Sequence, residues 1–327
     1  MRLGAVIIGF NSAAQIGACL DSCLRYSSEF PAGIVVIDNA STDETAPLAR
    51  REGVNVVVNC ANRGFAAAVN QGFHLLADAE AVLVLNPDVV LLSSPAVLAR
   101  ELADPRTGAV AGMLLGSDGR PQAGFQARRF PTAAALAFES LGLNRLWAGN
   151  PVNRHYRCLD LNPRLPAAVE QPPAACLLIR RAAWLQVGGF DEGYFPVWFE
   201  DVDFLERLAA AGWIARYTPI FQARHAGGHS VSSVGWGTRQ LYWYGSLLRY
   251  ISRRFRAPAR WLVGGCVVVG LVPRTVTGMF LQRSIQPLLV CDKVMRLAGV
   301  YLWNGRAAAR LQERRRQAVE ECGPSAL

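Results

Sequence analysis

The chain has 327 residues, 51% of them hydrophobic and 18% charged. That balance excludes wholesale disorder and predicts a sizeable buried core, enough for one large α/β domain with an appendage or for two ordinary domains. The net charge of +9 is uneven: residues 1–248 carry 20 Arg/Lys against 21 Asp/Glu, whereas residues 249–327 carry 14 against 4, a basic end expected to meet an anionic partner.

The opening MRLGAVIIGF runs directly into a core strand, so no signal peptide is expected and the predicted location is cytoplasmic. The eight cysteines form no CxxC pair and no Cys/His zinc pattern, which predicts small buried hydrophobes in a reducing compartment. LGAVII (3–8), IVVID (34–38), VNVVV (54–58) and AVLVLN (81–86) are short apolar runs of the kind buried on both faces of a parallel sheet. Helical patterns fill the intervals at 12–26, 43–52 and 65–78, the second with Ser41 and Glu44 placed for a capping box. Alternating strands and helices predict a doubly wound, mostly parallel α/β sheet. Ligands bind such sheets beyond the strands' carboxyl ends, here Gly9-Phe10-Asn11, Asp38-Asn39, Asn59 to Arg63 and Asn86-Pro87-Asp88. Neither GxGxxG after the first strand nor GxxxxGK[ST] occurs, which argues against a dinucleotide-binding dehydrogenase or a P-loop enzyme.

From about 109 to 180 the pattern is less regular. SDGRP (117–121) predicts a hairpin turn, 132–147 an apolar helix, 149–173 a long connection and AACLLIR (174–180) a further strand. WFEDVDFLERL follows at 198–208, with Glu200 and Asp201 at a helix start and Asp203 and Arg207 spaced for an i,i+4 pair. Asp88 reads either as a solvated turn aspartate or as a hard oxygen ligand for a divalent cation. His225 and His229 in RHAGGHS flank two glycines, a loop rather than a helical metal pair. Beyond Trp236 the chain reads as helical, and its longest charge-free run, Trp261 to Pro273, has 13 residues against the roughly 20 that span a bilayer. An interfacial helical segment is expected instead.

Together, IVVIDNASTDET, NRGFAAAVNQGF, LVLNPDVVL, GGFDEGYFPVWFEDVDFLERLAAAGW and RHAGGHS resemble bacterial glycosyltransferase family 2, in its rhamnosyltransferase-like branch, over residues 3–235. The resemblance implies a GT-A fold over residues 1–235, with a nucleotide-binding half to about 115 and an acceptor half beyond it. Composition predicts that residues 236–327 are a helical, basic, membrane-associating extension, with an ordinary helical appendage or dimer contact as the alternative. The resemblance implies inverting transfer from a nucleotide sugar, with Asp201 as general base and Glu200 orienting it or the acceptor. The donor contacts implied are Phe10, Asn11, Asp38, Asn39, Asn62, Arg63, Gly64, Asn86 and Asp88. Asp88 and His225, which matches better than His229, would hold Mg²⁺ or Mn²⁺. The first carboxylate of the family's DxD motif is absent, since Asn86-Pro87-Asp88 stands there. Phe190, Asp191, Trp198 and Phe199 are the expected acceptor contacts. The expected partners are dTDP-L-rhamnose, a glycan or polyprenyl-linked acceptor and the anionic inner face of the plasma membrane, without nucleic acid. UDP-galactofuranose or a UDP-hexose is the alternative donor, and a non-catalytic nucleotide-sugar-binding assembly protein the alternative class.

Overall fold

The computed structural model describes residues 1–227 and 234–303. Strands β1 (Leu3–Gly9), β2 (Gly33–Asp38), β3 (Val54–Val58) and β4 (Ala81–Leu85) are parallel neighbours in the order β3-β2-β1-β4. β1, β2 and β4 are buried, as continuous apolar runs require. β3 lies at the sheet edge with one neighbour, so VNVVV is partly exposed rather than covered on both faces. Helices α1 (Ala13–Leu24), α2 (Thr45–Ala49) and α3 (Phe65–Leu75) connect the strands. The expected capping box does not form. α2 starts only at Thr45, whose amide donates to Asp43 Oδ1 at 3.0 Å, while the Ser41 hydroxyl serves Asp38 instead.

The sheet continues through β5 (Val89–Leu91), β6 (Thr107–Leu115), β7 (Ala167–Val169), β8 (Cys176–Arg180) and β9 (Ile214–His225). Its order is β3-β2-β1-β4-β8-β6-β9-β5, with β7 also on β9. β8 runs antiparallel to β4 and β6, and β9 parallel to β6. Helix α4 (Ala96–Glu101) follows β5, and the SDGRP turn closes with Gly116 N donating to Arg120 O at 2.9 Å. The apolar stretch at 132–147 splits into α5 (Ala133–Leu141) and α6 (Leu143–Leu146) at Gly142, whose φ of 79° the lack of a Cβ permits. The long connection after it holds α7 (Pro151–Tyr156), opened by the Asn150 side chain accepting from Asn153 N at 2.8 Å. α8 (Arg181–Gln186) and α9 (Glu200–Ala210) flank the GGFDEGYFPVW segment.

Three helices close the described chain: α10 (Trp236–Arg254), α11 (Ala257–Gln282) and α12 (Gln286–Trp303). They share a core with the acceptor half, in which Leu136, Tyr194, Phe199 and Val202 pack with Leu247, Tyr250, Val263 and Val294. α11 meets α5 backbone to backbone: a Cβ added at Gly270 would lie 2.0 Å from the Ser140 carbonyl oxygen. Arg274, one turn on, donates to the α5 carbonyls of Ser140 and Glu139, the latter at 3.0 Å, placing a cation at a helix carboxyl end. Its charge is thereby turned inward, and α11 continues through Pro273 for 26 residues. Contrary to the 13-residue limit expected from the charge-free run, α11 is the one helix among the described residues long and apolar enough to cross a membrane by length and composition.

Candidate active site

The carboxyl ends of β1 and β2 are stitched together by short polar bonds. Asp38 is fully buried; its Oδ2 accepts from Ser41 N at 3.2 Å and its Oδ1 from the Ser41 hydroxyl. Each carboxylate oxygen retains a further acceptor site. Asn11 N donates to Ser41 Oγ at 2.9 Å, and Asn11 Oδ1 accepts from Thr42 N at 2.8 Å. Asn11 and Ala40 have left-handed φ values of 48° and 64°, strain that the surrounding bonds hold in place at the strand ends. Phe10 N donates to Ser12 Oγ at 3.3 Å, leaving its partly buried ring beside this loop.

Asn39 and Asn62 were expected at the nucleotide, yet their side chains are spent on the loop itself. Asn39 Nδ2 donates to Asn62 Oδ1 at 2.9 Å and to Gly64 O at 3.2 Å, and Asn39 Oδ1 accepts from Arg63 N and from Asn59 Nδ2. Asn62 Oδ1 also accepts from Gly64 N at 2.8 Å. The pair holds the Asn62-Arg63-Gly64 turn, and the turn docks on the segment before α9: Phe65 N donates to Pro196 O at 2.8 Å. A Cβ at Gly64 would meet Phe195 at 3.1 Å and the Pro196 carbonyl at 3.2 Å, and its φ of 82° is left-handed, so glycine is required twice over.

Asp88 and His225 meet because of sheet register. β5 begins immediately after Asp88, and Val89 pairs with His225 on antiparallel β9. His225 Nε2 lies 3.6 Å from Asp88 Oδ1, both side chains nearly inaccessible, and Asp88 Oδ2 accepts from Gly227 N at 2.8 Å. Gln122 fixes the ring. Its Nε2 donates to His225 O at 2.9 Å, so its Oε1 faces His225 Nδ1 at 3.1 Å as acceptor. Nδ1 therefore carries the proton, and the Nε2 lone pair points toward Asp88, the tautomer a metal-ligating imidazole needs. Burial holds the imidazole below its usual pKa despite the opposing pull of Asp88. A hard carboxylate oxygen and a neutral imidazole fit a small divalent cation that draws its remaining ligands from water and phosphate. No group of three or more metal-ligating side chains occurs among the described residues. His229 lies outside the described residues.

The four acids of WFEDVDFLERL divide by role. Asp203 accepts from Arg207 Nε at 2.7 Å, the expected i,i+4 pair, and faces the Tyr194 hydroxyl. Glu206 accepts from the Tyr250 hydroxyl at 2.8 Å and pairs with Arg254. Both tie α9 to its neighbours. Glu200 and Asp201 sit in the first turn, beyond Trp198 and Phe199, whose φ values of 77° and 68° put two aromatic residues in left-handed backbone. Glu200 is buried with Oε2 unpaired, and burial, reinforced by the charge of Asp201, drives its carboxyl well above the usual range. Asp201 is also raised by burial, while the Ala174 and Val202 amides and the Arg128 guanidinium oppose the shift.

The two halves of the site converge on a single pair of residues. Asn86 N donates to Ala175 O at 2.8 Å, and Ala174 N donates to Asp201 Oδ2 at 3.4 Å. Asp88, two residues past Asn86, and Asp201 thus hang from adjacent residues just before β8. A second bridge runs through side chains: Phe125 stacks on His225 with centroids 5.2 Å apart, and Arg128 lies over Phe125 at 5.5 Å while its charge acts on Asp201.

The expected acceptor residues fare differently. Phe190 is buried against Phe204, with centroids 4.2 Å apart, and Phe199 is buried against Tyr250 at 5.2 Å. Apolar area drives both rings into the core, so neither lines an open cleft. Asp191 is bonded to Arg249 at 2.6 Å, and Arg249 also lies over the Tyr194 ring at 5.1 Å. Burial pushes the Asp191 carboxyl up, but the Arg249 charge and hydrogen bond outweigh it and hold the group below its usual range. Its stabilisation is therefore fully present above the unfolded value of about 3.9 and lost as pH falls through the lower folded value. Arg249→Met is expected to cost about 3 kcal/mol in denaturant unfolding and to flatten this acid dependence. Of the expected set, Trp198 alone keeps its ring partly open, on a cavity beside α10.

The family model described as "Glycosyl transferase family 2" matches residues 5–158. The chain is 32% identical over 269 residues to N-acetylglucosaminyl-diphospho-decaprenol L-rhamnosyltransferase of Mycobacterium tuberculosis, covering 75% of this chain and 84% of that one. The chain belongs to glycosyltransferase family 2. It is 26% identical over 196 residues to the rhamnosyltransferase WbbL of Escherichia coli, covering 59% of this chain and 69% of that one, so it is a glycosyltransferase of the rhamnosyltransferase-like branch. The mannosyltransferase PcManGT of Pyrobaculum calidifontis, solved with GDP-Man and Mn²⁺, superposes with a TM-score of 0.54 at 17% identity over 93% of this chain and 87% of that one. The family 2 chain thus has the GT-A fold. Two of its site residues went unread in the sequence, Gln122 and Arg128. Both lie in the irregular segment after the SDGRP turn, where no periodicity marks a polar residue as inward-facing.

Proposed function

We propose that the chain is an inverting transferase that moves L-rhamnose from dTDP-L-rhamnose to a polyprenyl-linked sugar acceptor at the inner face of the plasma membrane. The observation that carries the reading is the attachment of Asp88 and Asp201 to adjacent residues, Ala175 through Asn86 and Ala174 directly. In this reading Asp201 removes the proton of the acceptor hydroxyl as its oxygen attacks the anomeric carbon from the face opposite the nucleotide diphosphate. Such a positioned base contributes about 10²–10⁴-fold. Glu200, kept protonated by burial and by its neighbour's charge, leaves Asp201 as the ionised member of the pair. Asp88 and His225 would hold Mg²⁺ or Mn²⁺, which supplies neutralisation of the charge growing on the departing diphosphate. Asp38 and the loop around Asn11 would face the base, and Arg63 and Asn86 the diphosphate and sugar.

The transferred sugar and the acceptor class are drawn from the names of the relatives: both name rhamnosyl transfer, and the mycobacterial one names L-rhamnose and an N-acetylglucosaminyl-diphospho-decaprenol acceptor. The test is a thermal-shift panel of nucleotide sugars with and without Mn²⁺, because a tight donor stabilises by RT ln(1 + [L]/Kd). dTDP-L-rhamnose with Mn²⁺ is expected to give the largest rise in Tm; a larger rise with UDP-galactofuranose or a UDP-hexose reassigns the donor.

The membrane reading draws on α11, which has two unlike faces. Val263, Val267 and Leu271 are buried, whereas Leu262, Val269, Val276 and Phe280 are exposed at helical spacing. Phe280 and Leu281 are 80% and 85% exposed. Replacing both with Ser is expected to lower co-sedimentation with anionic liposomes at least about tenfold, since each side chain contributes roughly 1.5–3 kcal/mol on burial. Tm should not change. Unaltered sedimentation would sever α11 from the membrane.

A further inference from the structure

Between α5, α6, α10 and α11 lies a cavity of about 200 Å³ that the transfer chemistry above does not use. Three of its walls are arginines: Arg145 from α6, Arg239 from α10 and Arg274 from α11. Arg274 is held by the carbonyls at the end of α5, and both it and Arg145 act on the adjoining Tyr244 hydroxyl. Arg145 and Arg239 make no ion pair and no side-chain hydrogen bond among the described residues. The one acid on the wall, Glu139, is already occupied: its Oε2 accepts from Asn144 Nδ2 at 2.7 Å and pairs with Arg157 at 3.4 Å. Among the described residues the cavity is therefore cationic, with two guanidinium groups unpaired there.

The remaining walls include Trp198 and Trp243, flat faces of the kind that stack on sugar rings. Trp198 stands three residues before Asp201 in the chain, and the neighbouring Phe199 ring lies 6.4 Å from that of Trp243. One rim of the cavity is apolar and open. Leu146 and Trp147, directly after Arg145, are 84% and 62% exposed, and Val272 and Val276 lie on the exposed side of α11, away from the inward-turned Arg274.

Three guanidinium groups beside two indole faces in one cavity match a diphosphate joined to a sugar. Resting on the acceptor class proposed above, we infer that this cavity binds the diphosphate of the lipid-linked acceptor through Arg145, Arg239 and Arg274, with its sugar against Trp198 and Trp243. Guanidinium groups suit the task because they present paired donors to phosphate oxygens and are only weakly hydrated.

The donor also carries a diphosphate, so the test separates the two sources. Binding of farnesyl diphosphate, farnesol and dTDP to the full-length protein is measured by titration calorimetry, in wild type and in the Arg145→Gln/Arg239→Gln double variant. Farnesyl diphosphate is expected to bind the wild type and to lose at least about tenfold in affinity in the variant, the scale of one charge-assisted hydrogen bond. Farnesol should bind the wild type far more weakly, and dTDP equally well in both proteins. Arg145→Gln alone, at an exposed position without a role in folding, repeats the test should the double variant misfold. Farnesyl diphosphate affinity unchanged by the substitutions overturns the assignment while leaving the transferase reading intact. An equal loss for dTDP overturns it by moving the arginines to the donor. Farnesol binding as tightly as its diphosphate overturns it by removing the anion. Wild type that binds no dTDP overturns the reading on which the site rests, and the site with it.

Discussion

Replacing Asp201 with Asn is expected to leave a folded protein whose transfer rate has fallen by at least about 100-fold. The substitution keeps the shape of the side chain and one amide-accepting oxygen, so the bond from Val202 N, 2.8 Å in the wild type, can persist. What disappears is the ability to take a proton. The wild-type carboxylate is a stronger base than an exposed aspartate because burial raises its pKa, and the Ala174 and Val202 amides and Arg128 only partly offset that shift. The sign follows directly. Activity requires the ionised form, so kcat/KM should fall as pH drops through a value above the ordinary aspartate range of about 3.9. That acid limb should vanish from the residual activity of the Asn variant. Turnover near the wild-type rate would strip Asp201 of the role, whatever the protein's stability.

The second large effect is expected at Asp88. Asp88→Asn should abolish the Mn²⁺-dependent part of donor stabilisation and reduce kcat/KM by more than about 100-fold, roughly 3 kcal/mol of transition-state stabilisation. The motif at this turn offers a single negative charge, since Asn86 occupies the other position, and His225 is neutral. Removing one charge therefore removes all of it. The turn itself should survive, because Asn can still accept from Gly227 N and the register that pairs Val89 with His225 is a backbone property. Thermal shift with donor in the presence and absence of Mn²⁺ reads the binding loss, and chelation of the wild type should reproduce it. Full activity after thorough chelation would refute the metal role altogether.

The parallel half of the fold could be read from the sequence because its signal is local. Four apolar runs of strand length, separated by three helical periods and ending in polar residues, leave few arrangements, and β1 to β4 follow them within a few residues. Local pattern places Asp88 after a strand and Asp201 at a helix start, but it is the resemblance to family 2 that singles out Asp201 as the base. The contacts that place them could not be read from the sequence. Ala174 and Ala175 join Asn86 and Asp201 through backbone atoms, to which side-chain identity is nearly blind. His225 reaches Asp88 through β9, a strand of 12 residues that shifts register between Gly112 and Met113 on its partner. Aromatic residues misled the reading in one direction. Phe190 and Phe199 adjoin the catalytic segment in sequence, but their apolar area is satisfied only in the core. The inward turn of Arg274 was equally hidden, because an arginine in an apolar helix carries no mark of the carbonyls that receive it.

The bond from the Phe65 amide to the Pro196 carbonyl has a consequence for substrate binding. It fastens the Asn62-Arg63-Gly64 turn, proposed to face the nucleotide sugar, to the stretch of chain that leads into Asp201. Any displacement of that turn on loading the first substrate is handed on to the place where the second must dock. Thermodynamic reciprocity makes the traffic two-way: the factor by which one substrate tightens the other is the same in both directions. Under the proposed function, donor and acceptor are therefore expected to bind in a coupled way through this bond, each changing the other's affinity by one common factor.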